Sequence, residues 1–300
     1  MYSTKLNEKI EKVGLVGVGN MGKCMLEYLQ KGGFSVVAYD PFPKAAEYAK
    51  EHGAELANSP SDLASKAKLI IMSLPAPQHV FDVLEKMKDN LTEEHIIVDT
   101  STVSPETSKK GAEIVAEKGA QYVDSPILGR PSAAGNWLLP SGGSEEAIER
   151  VKPALETFAK KAVRVGDNGA GNAFKLLNQL MFSVINGVSA EVMALTDVLG
   201  VDRKVFYDVV SNSGAATVSG LFKETAGRIV EDRYNEPTFT MELLCKDAGL
   251  GIQMAKEAGV TPLIAGFVQN INENAKGKGL GKQDTSSLTK VFREYFSKID

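Results

Sequence analysis

The chain has 300 residues, 43% hydrophobic and 24% charged, with a formal net charge of −4. That length accommodates two domains of ordinary size, each with its own core. The acidic balance argues against a broad nucleic-acid footprint, which needs a concentrated basic face, and two cysteines argue against a disulfide framework.

Met1 to Lys12 is polar and charged, unlike a secretory signal. Val13 to Val18 reads as a strand, followed by a helix from Asn20 to Lys31 that Gly32-Gly33 stops by supplying a cheap left-handed closing conformation. Ser35–Tyr39, Leu69–Ser73 and Ile96–Val98 are further strands, compact apolar runs suited to burial on both faces. Ser104-Pro105 places a capping hydroxyl before a proline at the first helical position. Ser144-Glu145-Glu146 offers a cap with negative charge where the helix dipole favours it. Ala162–Val165 closes this alternating region, which predicts an α/β fold with a doubly wound parallel sheet.

After Gly166 strand-like runs vanish. The turn-rich Gly166-Asp167-Asn168-Gly169-Ala170-Gly171 marks the expected boundary, giving domains 1–166 and 167–300. The second begins with a helix of roughly 25 to 30 residues from about Gly171. Its apolar stretch Gln179–Val201 is interrupted by Asn186, Glu191 and Asp197, so a buried helix is expected rather than a membrane span. Lys276, Lys278 and Lys282, set among glycines, read as a solvated turn. Cys24 and Cys245 sit in helix-like patterns, which fits a reducing cytoplasm. His52, His79 and His95 lack paired ligand spacing, so no metal site is expected.

Gly17-Val18-Gly19-Asn20-Met21-Gly22 matches G-x-G-x-x-G between a strand and a helix, the context that binding a dinucleotide pyrophosphate requires. The first glycine permits the tight turn and the second lets backbone approach the phosphates. The third lets helix and strand pack closely, while free helix amides face the anion. Asp40 ends the second strand, where a carboxylate can accept the adenosine ribose hydroxyls and repel a 2′-phosphate. NAD is favoured on that ground, with NADP still possible because Lys44 softens the discrimination.

Four ordered motifs then carry a family resemblance. They are Gly14-Leu15-Val16-Gly17-Val18-Gly19-Asn20-Met21-Gly22, then Asp99-Thr100-Ser101-Thr102 with Ser104-Pro105. Asp124-Ser125-Pro126-Ile127-Leu128-Gly129-Arg130 and Gly171-Asn172-Ala173-Phe174-Lys175-Leu176-Leu177-Asn178 follow, with Lys246-Asp247 as a fifth marker. With them the chain resembles the β-hydroxyacid dehydrogenases, relatives of 3-hydroxyisobutyrate and 6-phosphogluconate dehydrogenases. The resemblance implies a Rossmann-type domain, an all-helical second domain, and a small anionic substrate in a cleft between them. It implies that Lys175 moves the proton, that Asn178 orients substrate, and that Ser101 and the backbone near Gly129 hold its carboxylate, with Thr102, Leu128 and Arg130 as further expected substrate contacts. Gly17, Gly19, Asn20, Met21, Gly22, Asp40, Leu74, Pro75, Thr102 and Lys246 are the expected cofactor contacts. A homodimer or homotetramer is expected, with the long helix in the subunit interface. The residues make the lysine role reasonable: Lys175 and Asn178 are three apart on a helix and share a face, and a lysine accepts the hydroxyl proton if burial lowers its pKa.

Three departures concern the substrate. Leu128-Gly129-Arg130 stands where the family usually shows Ser-Gly-Gly, the Pro131–Trp137 loop is shorter with Trp137 in place of a smaller residue, and Gln179 replaces a second asparagine. Either Arg130 faces the cleft and reads a second anionic group, or it faces water. Two alternatives to the dehydrogenase reading remain: an imine reductase of the same fold, against which Lys175 counts, and a non-catalytic cofactor-binding scaffold.

Overall fold

The structure, a computed structural model, describes residues 10–214 and 219–297. The polar N-terminus up to residue 9 lies outside the described residues. The chain divides into a unit that ends at Lys175 and one that begins at Leu176.

The first unit alternates strand and helix: β1 (Lys12–Val16), α1 (Asn20–Lys31), β2 (Ser35–Tyr39), α2 (Pro43–Glu51), β3 (Glu55–Leu56), α3 (Pro60–Lys66), β4 (Leu69–Met72) and α4 (Pro77–Met87). It continues with β5 (Ile96–Asp99), α5 (Pro105–Ala116), β6 (Gln121–Asp124), β7 (Trp137–Gly142), α6 (Glu145–Phe158) and β8 (Ala159–Gly166). The strands form one sheet in the order β3-β2-β1-β4-β5-β6-β7-β8. All neighbouring pairs are parallel except β6 and β7.

Burial explains the apolar runs. In β4, Leu69 and Ile71 join the layer beneath α1 and α6, with Leu26, Leu29, Ile148, Leu155 and Phe158. Ile70 and Met72 join the opposite layer, with Leu63, Val80, Leu84 and Val115. A strand covered on both faces needs apolar residues at every position rather than every second one. Ser104 and Ser144 cap α5 and α6 as their sequences require, accepting the amides of Thr107 and Ala147.

The structure adds β3, β6 and β7 to the strands expected from the sequence. Gln121–Asp124 is short, and Pro140 within β7 argues against a strand. Proline is accommodated because β7 pairs with β6 only at Asp124–Gly142, so much of its inner edge makes no ladder bonds. The first strand also ends at Val16 rather than Val18, because Gly17 already turns at φ +93°.

Helix α7 (Ala170–Val198) begins in the first unit and runs on into the second, which adds α8 (Arg203–Ser211), α9 (Gly220–Val230), α10 (Met241–Glu257), α11 (Leu263–Ala275) and α12 (Thr289–Phe296). Met193, Ala226, Ile229, Met241, Leu244 and Leu288 form the second core. By length and composition α7 could cross a membrane, but half of its apolar window is buried in the protein. Within that stretch the buried Asn186 donates to the Thr285 carbonyl and accepts from Thr225 Oγ1, partners that a core helix provides. The Lys276 and Lys278 segment is helical rather than a simple turn. Both lysines are exposed and ion-paired, with Glu273 and Glu294.

Candidate active site

The glycine turn occupies the carboxyl end of β1, between β2 and β4, where the sheet order reverses direction. In open α/β sheets ligands bind at this switch point. Each glycine has a separate steric reason. Gly17 sits at φ +93°, and a methyl there would lie 2.3 Å from the Ser73 carbonyl oxygen. A methyl on Gly22 would lie 2.0 Å from the Gly17 carbonyl oxygen, so α1 can pack onto the turn only without a side chain there. At Gly19 nothing lies within 4 Å, which leaves backbone open to an approaching group. Asn20 is likewise exposed and Met21 half-buried. This is the cradle that a pyrophosphate fits, tight on both sides and open at the middle glycine.

Asp40 holds the turn. Its Oδ2 accepts the Val18 amide at 2.7 Å and its Oδ1 accepts the Phe42 amide at 2.9 Å. A surface depression of about 350 Å³ is lined by Lys23, Pro43, Lys44, Glu47, Tyr48 and Glu51, two lysines beside two glutamates.

Next to the turn, Leu74 is half-buried and Pro75 exposed. The Leu74 amide donates to Ser101 Oγ at 2.9 Å, and the Ser101 amide donates to Asp99 Oδ1 at 2.9 Å. Ser101 is buried, and its hydroxyl also hydrogen-bonds Asp99, so it organises the ends of β4 and β5. Thr102 beside it is half-buried. Tyr122 Oη donates to Asp99 Oδ2 at 2.7 Å, and burial raises both pKa values.

Lys175 is 9% exposed, and its Nζ donates to the Ile127 carbonyl at 2.8 Å. Its helix starts at Ala170 after Gly169, a pair without a capping side chain. The cap comes from β6: Asp124 Oδ1 accepts the Gly169 amide at 2.7 Å, and Oδ2 accepts the Asn172 amide at 2.9 Å. Burial pushes the Asp124 carboxyl up to about 7, against the lowering effect of those two amides. The buried Asn172 side chain accepts from the Val103 amide and donates to Ser108 Oγ. The family resemblance implies no role for Asp124 or Asn172. The bare Gly169-Ala170 helix start was the available signal that a cap had to come from elsewhere.

The loop after Ile127 is clamped. Leu128 and Leu138 exchange backbone hydrogen bonds, and Trp137 Nε1 donates to the Arg130 carbonyl at 2.7 Å. Tyr28 Oη, from α1, donates to the Ala134 carbonyl at 3.0 Å. Gly129 is exposed at φ +154°, while Leu128 and Arg130 are half-buried.

In the second unit Asn178 is exposed. Gln179 Nε2 donates to Asp247 Oδ2 at 2.7 Å, and Lys246 Nζ lies 2.9 Å from Asp247 Oδ1. The departure at Gln179 therefore has a partner within the fifth marker. Among the described residues no group of three His, Cys, Asp or Glu side chains converges as a metal site.

Comparison with known proteins decides the family. Residues 12–166 match the model for the NAD-binding domain of 6-phosphogluconate dehydrogenase, and residues 169–292 match that for the NAD-binding region of NADP-dependent 3-hydroxyisobutyrate dehydrogenase. The chain belongs to the β-hydroxyacid dehydrogenase family. It is a nicotinamide-dependent oxidoreductase acting on CH–OH groups. The dehydrogenase is 30% identical to 2-(hydroxymethyl)glutarate dehydrogenase of Eubacterium barkeri, with 96% of each chain covered. It is 30% identical to 3-sulfolactaldehyde reductase of Escherichia coli, covering 94% of this chain and 95% of the other. The crystal structure of a 3-hydroxyisobutyrate dehydrogenase from Salmonella typhimurium superposes with a TM-score of 0.86 at 28% identity, over 94% of this chain and 99% of that one. An imine reductase from Pseudomonas sp. is more distant, with a TM-score of 0.61 at 20% identity over 94% and 99%, a likeness of fold alone.

Proposed function

We propose that this dehydrogenase interconverts a small 3-hydroxy acid and its semialdehyde, with Lys175 as general acid and base. The observation that carries this reading is the buried Lys175 amine anchored on the Ile127 carbonyl at 2.8 Å. A cationic side chain is seldom buried without a task or a partner. The Gly17–Gly22 turn would hold the nicotinamide cofactor, which would supply the hydride chemistry when bound. As the carbinol carbon loses hydride, neutral Lys175 takes the hydroxyl proton. In reduction its ammonium polarises the aldehyde and returns that proton. Thr102 and the Gly129 loop hold the substrate carboxylate, with the buried Ser101 fixing the strand ends behind them, Asn178 orients the substrate, and Lys246 is assigned to the cofactor.

Arg130 supports a finer reading, in which the substrate bears a second anionic group. Its guanidinium replaces an uncharged residue of the family pattern, and the names of two relatives denote substrates with a further carboxylate or sulfonate. Asp40 favours NAD, whereas Lys23 and Lys44 leave room for NADP. The exposed side chains of Leu177, Met181, Val188 and Leu195 on α7 support a homo-oligomer. A cytoplasmic location fits two free cysteines.

The test is nicotinamide absorbance with purified protein, both cofactors, and 3-hydroxy acids with and without a second acidic group. Lys175→Ala is expected to lower kcat on the order of 100-fold or more while NADH binding persists. Turnover within about threefold of wild type would remove the lysine from its role.

A further inference from the structure

The first turn of α7 is built without a cap of its own and without a side chain at Gly171. A methyl on Gly171 would lie 2.4 Å from the Asp124 carbonyl oxygen and 2.6 Å from that of Pro140, so the helix start is pressed against β6 and β7. The Asp124 carboxylate receives the Gly169 and Asn172 amides, one on each oxygen. A methyl on Gly142 would lie 2.5 Å from Asp124 Oδ1, which leaves the carboxylate little freedom to turn. Three residues along the same segment, the Ile127 carbonyl receives Lys175 Nζ. One short stretch of chain thus fixes both the origin of the helix and the amine one turn into it.

We propose that Asp124 is the positioning residue for Lys175, acting through the backbone amides of Gly169 and Asn172 rather than by touching substrate. The reasoning is geometric. Both amides are orphan donors of a helix start, and the Asp124 carboxyl meets them with one acceptor oxygen each. If that contact weakens, the first turn frays or rotates and carries Nζ away from the place where a hydroxyl proton must be met. Displacement of a catalytic group by about 1 Å costs on the order of 100-fold in rate. The inference rests on the reading of Lys175 as the proton-transfer residue.

The experiment compares Asp124→Asn with Lys175→Ala in the full-length enzyme. Asparagine keeps the shape but offers one acceptor, and turns an N–H toward the second amide. The expected result is a kcat reduced on the order of 10- to 100-fold, with substrate KM and NADH Kd within about threefold of wild type. Hydrogen exchange at the Gly169 and Asn172 amides should accelerate in the same variant. Faster exchange with unchanged kcat would overturn the proposal, since the cap would then be structural only. Parallel losses of kcat and NADH binding would overturn it too, as a general weakening of the unit. Wild-type turnover in Lys175→Ala would remove the lysine reading and this proposal with it, whereas an inactive Lys175→Ala beside a fully active Asp124→Asn would remove the proposal alone. Should Asp124→Asn not fold, Asp124→Ser, which keeps a single accepting oxygen, carries the same comparison.

Discussion

The indole of Trp137 lies over the backbone of Gly129, so close that a methyl at Gly129 would fall 2.3 Å from Trp137 Cδ1. Trp137 is fully buried, its ring packs edge-on to Phe158 at 6.1 Å, and its N–H reaches the Arg130 carbonyl. The bulky residue that departs from the family pattern therefore sets the path of the loop that carries Arg130. Trp137→Phe keeps much of the bulk and removes the donor, and should cost about 1 kcal/mol of stability or somewhat more. Substrate KM should rise several-fold while NADH affinity stays level. An unchanged KM in a folded variant would separate Trp137 from substrate recognition.

Two glycines of the cofactor turn should fail in different ways. Gly19→Ala meets open space, so its melting temperature should stay within about 2 °C of wild type while NADH affinity falls at least tenfold. Gly22→Ala drives a methyl into the Gly17 carbonyl, so it should lower the melting temperature itself. Fluorescence titration and thermal denaturation on both variants read the contrast. Equal stability loss in the two would contradict the open approach at Gly19.

Asp124 gives stability a pH dependence of known sign. Burial raises its folded pKa from 3.8 to about 7, with the Asp99 carboxylate on the adjoining strand pushing the same way. The fold therefore retains a proton that the unfolded chain gives up near 4. The associated stability is complete below that pH and disappears as pH rises toward 7. Urea midpoints measured from pH 4 to 8 should fall more steeply for wild type than for Asp124→Asn. Parallel curves would show that Asp124 titrates normally.

Met181 is 64% exposed on α7, in line with Leu177 and Val188. Met181→Glu should convert an oligomer to smaller species in sedimentation experiments, with helix content by circular dichroism unchanged. A wild-type enzyme that sediments as a monomer would remove the interface.

What was legible in the sequence is what is local. The glycine turn could be read because Gly17 and Gly22 meet constraints within a few residues or at the end of the adjacent strand, with Gly19 left open between them. The serine caps at Ser104 and Ser144 could be read because cap and amide are three residues apart. Asp124 could not, because the amides that it caps lie 45 and 48 residues away. Ser101 was singled out for its hydroxyl, but no spacing rule shows that this hydroxyl accepts the Leu74 amide. Strand β7 was hidden by a proline that only an incompletely paired edge tolerates.

The place where the chain divides has a consequence for engineering. Lys175 closes the nucleotide-binding unit, and Leu176 opens the helical one. Grafting a relative's helical unit at that junction would exchange Asn178, Gln179 and Lys246 in one step while the lysine, its Asp124 cap and the glycine turn stay native. On the roles proposed for these residues, such hybrids would vary substrate choice against a constant proton-transfer apparatus.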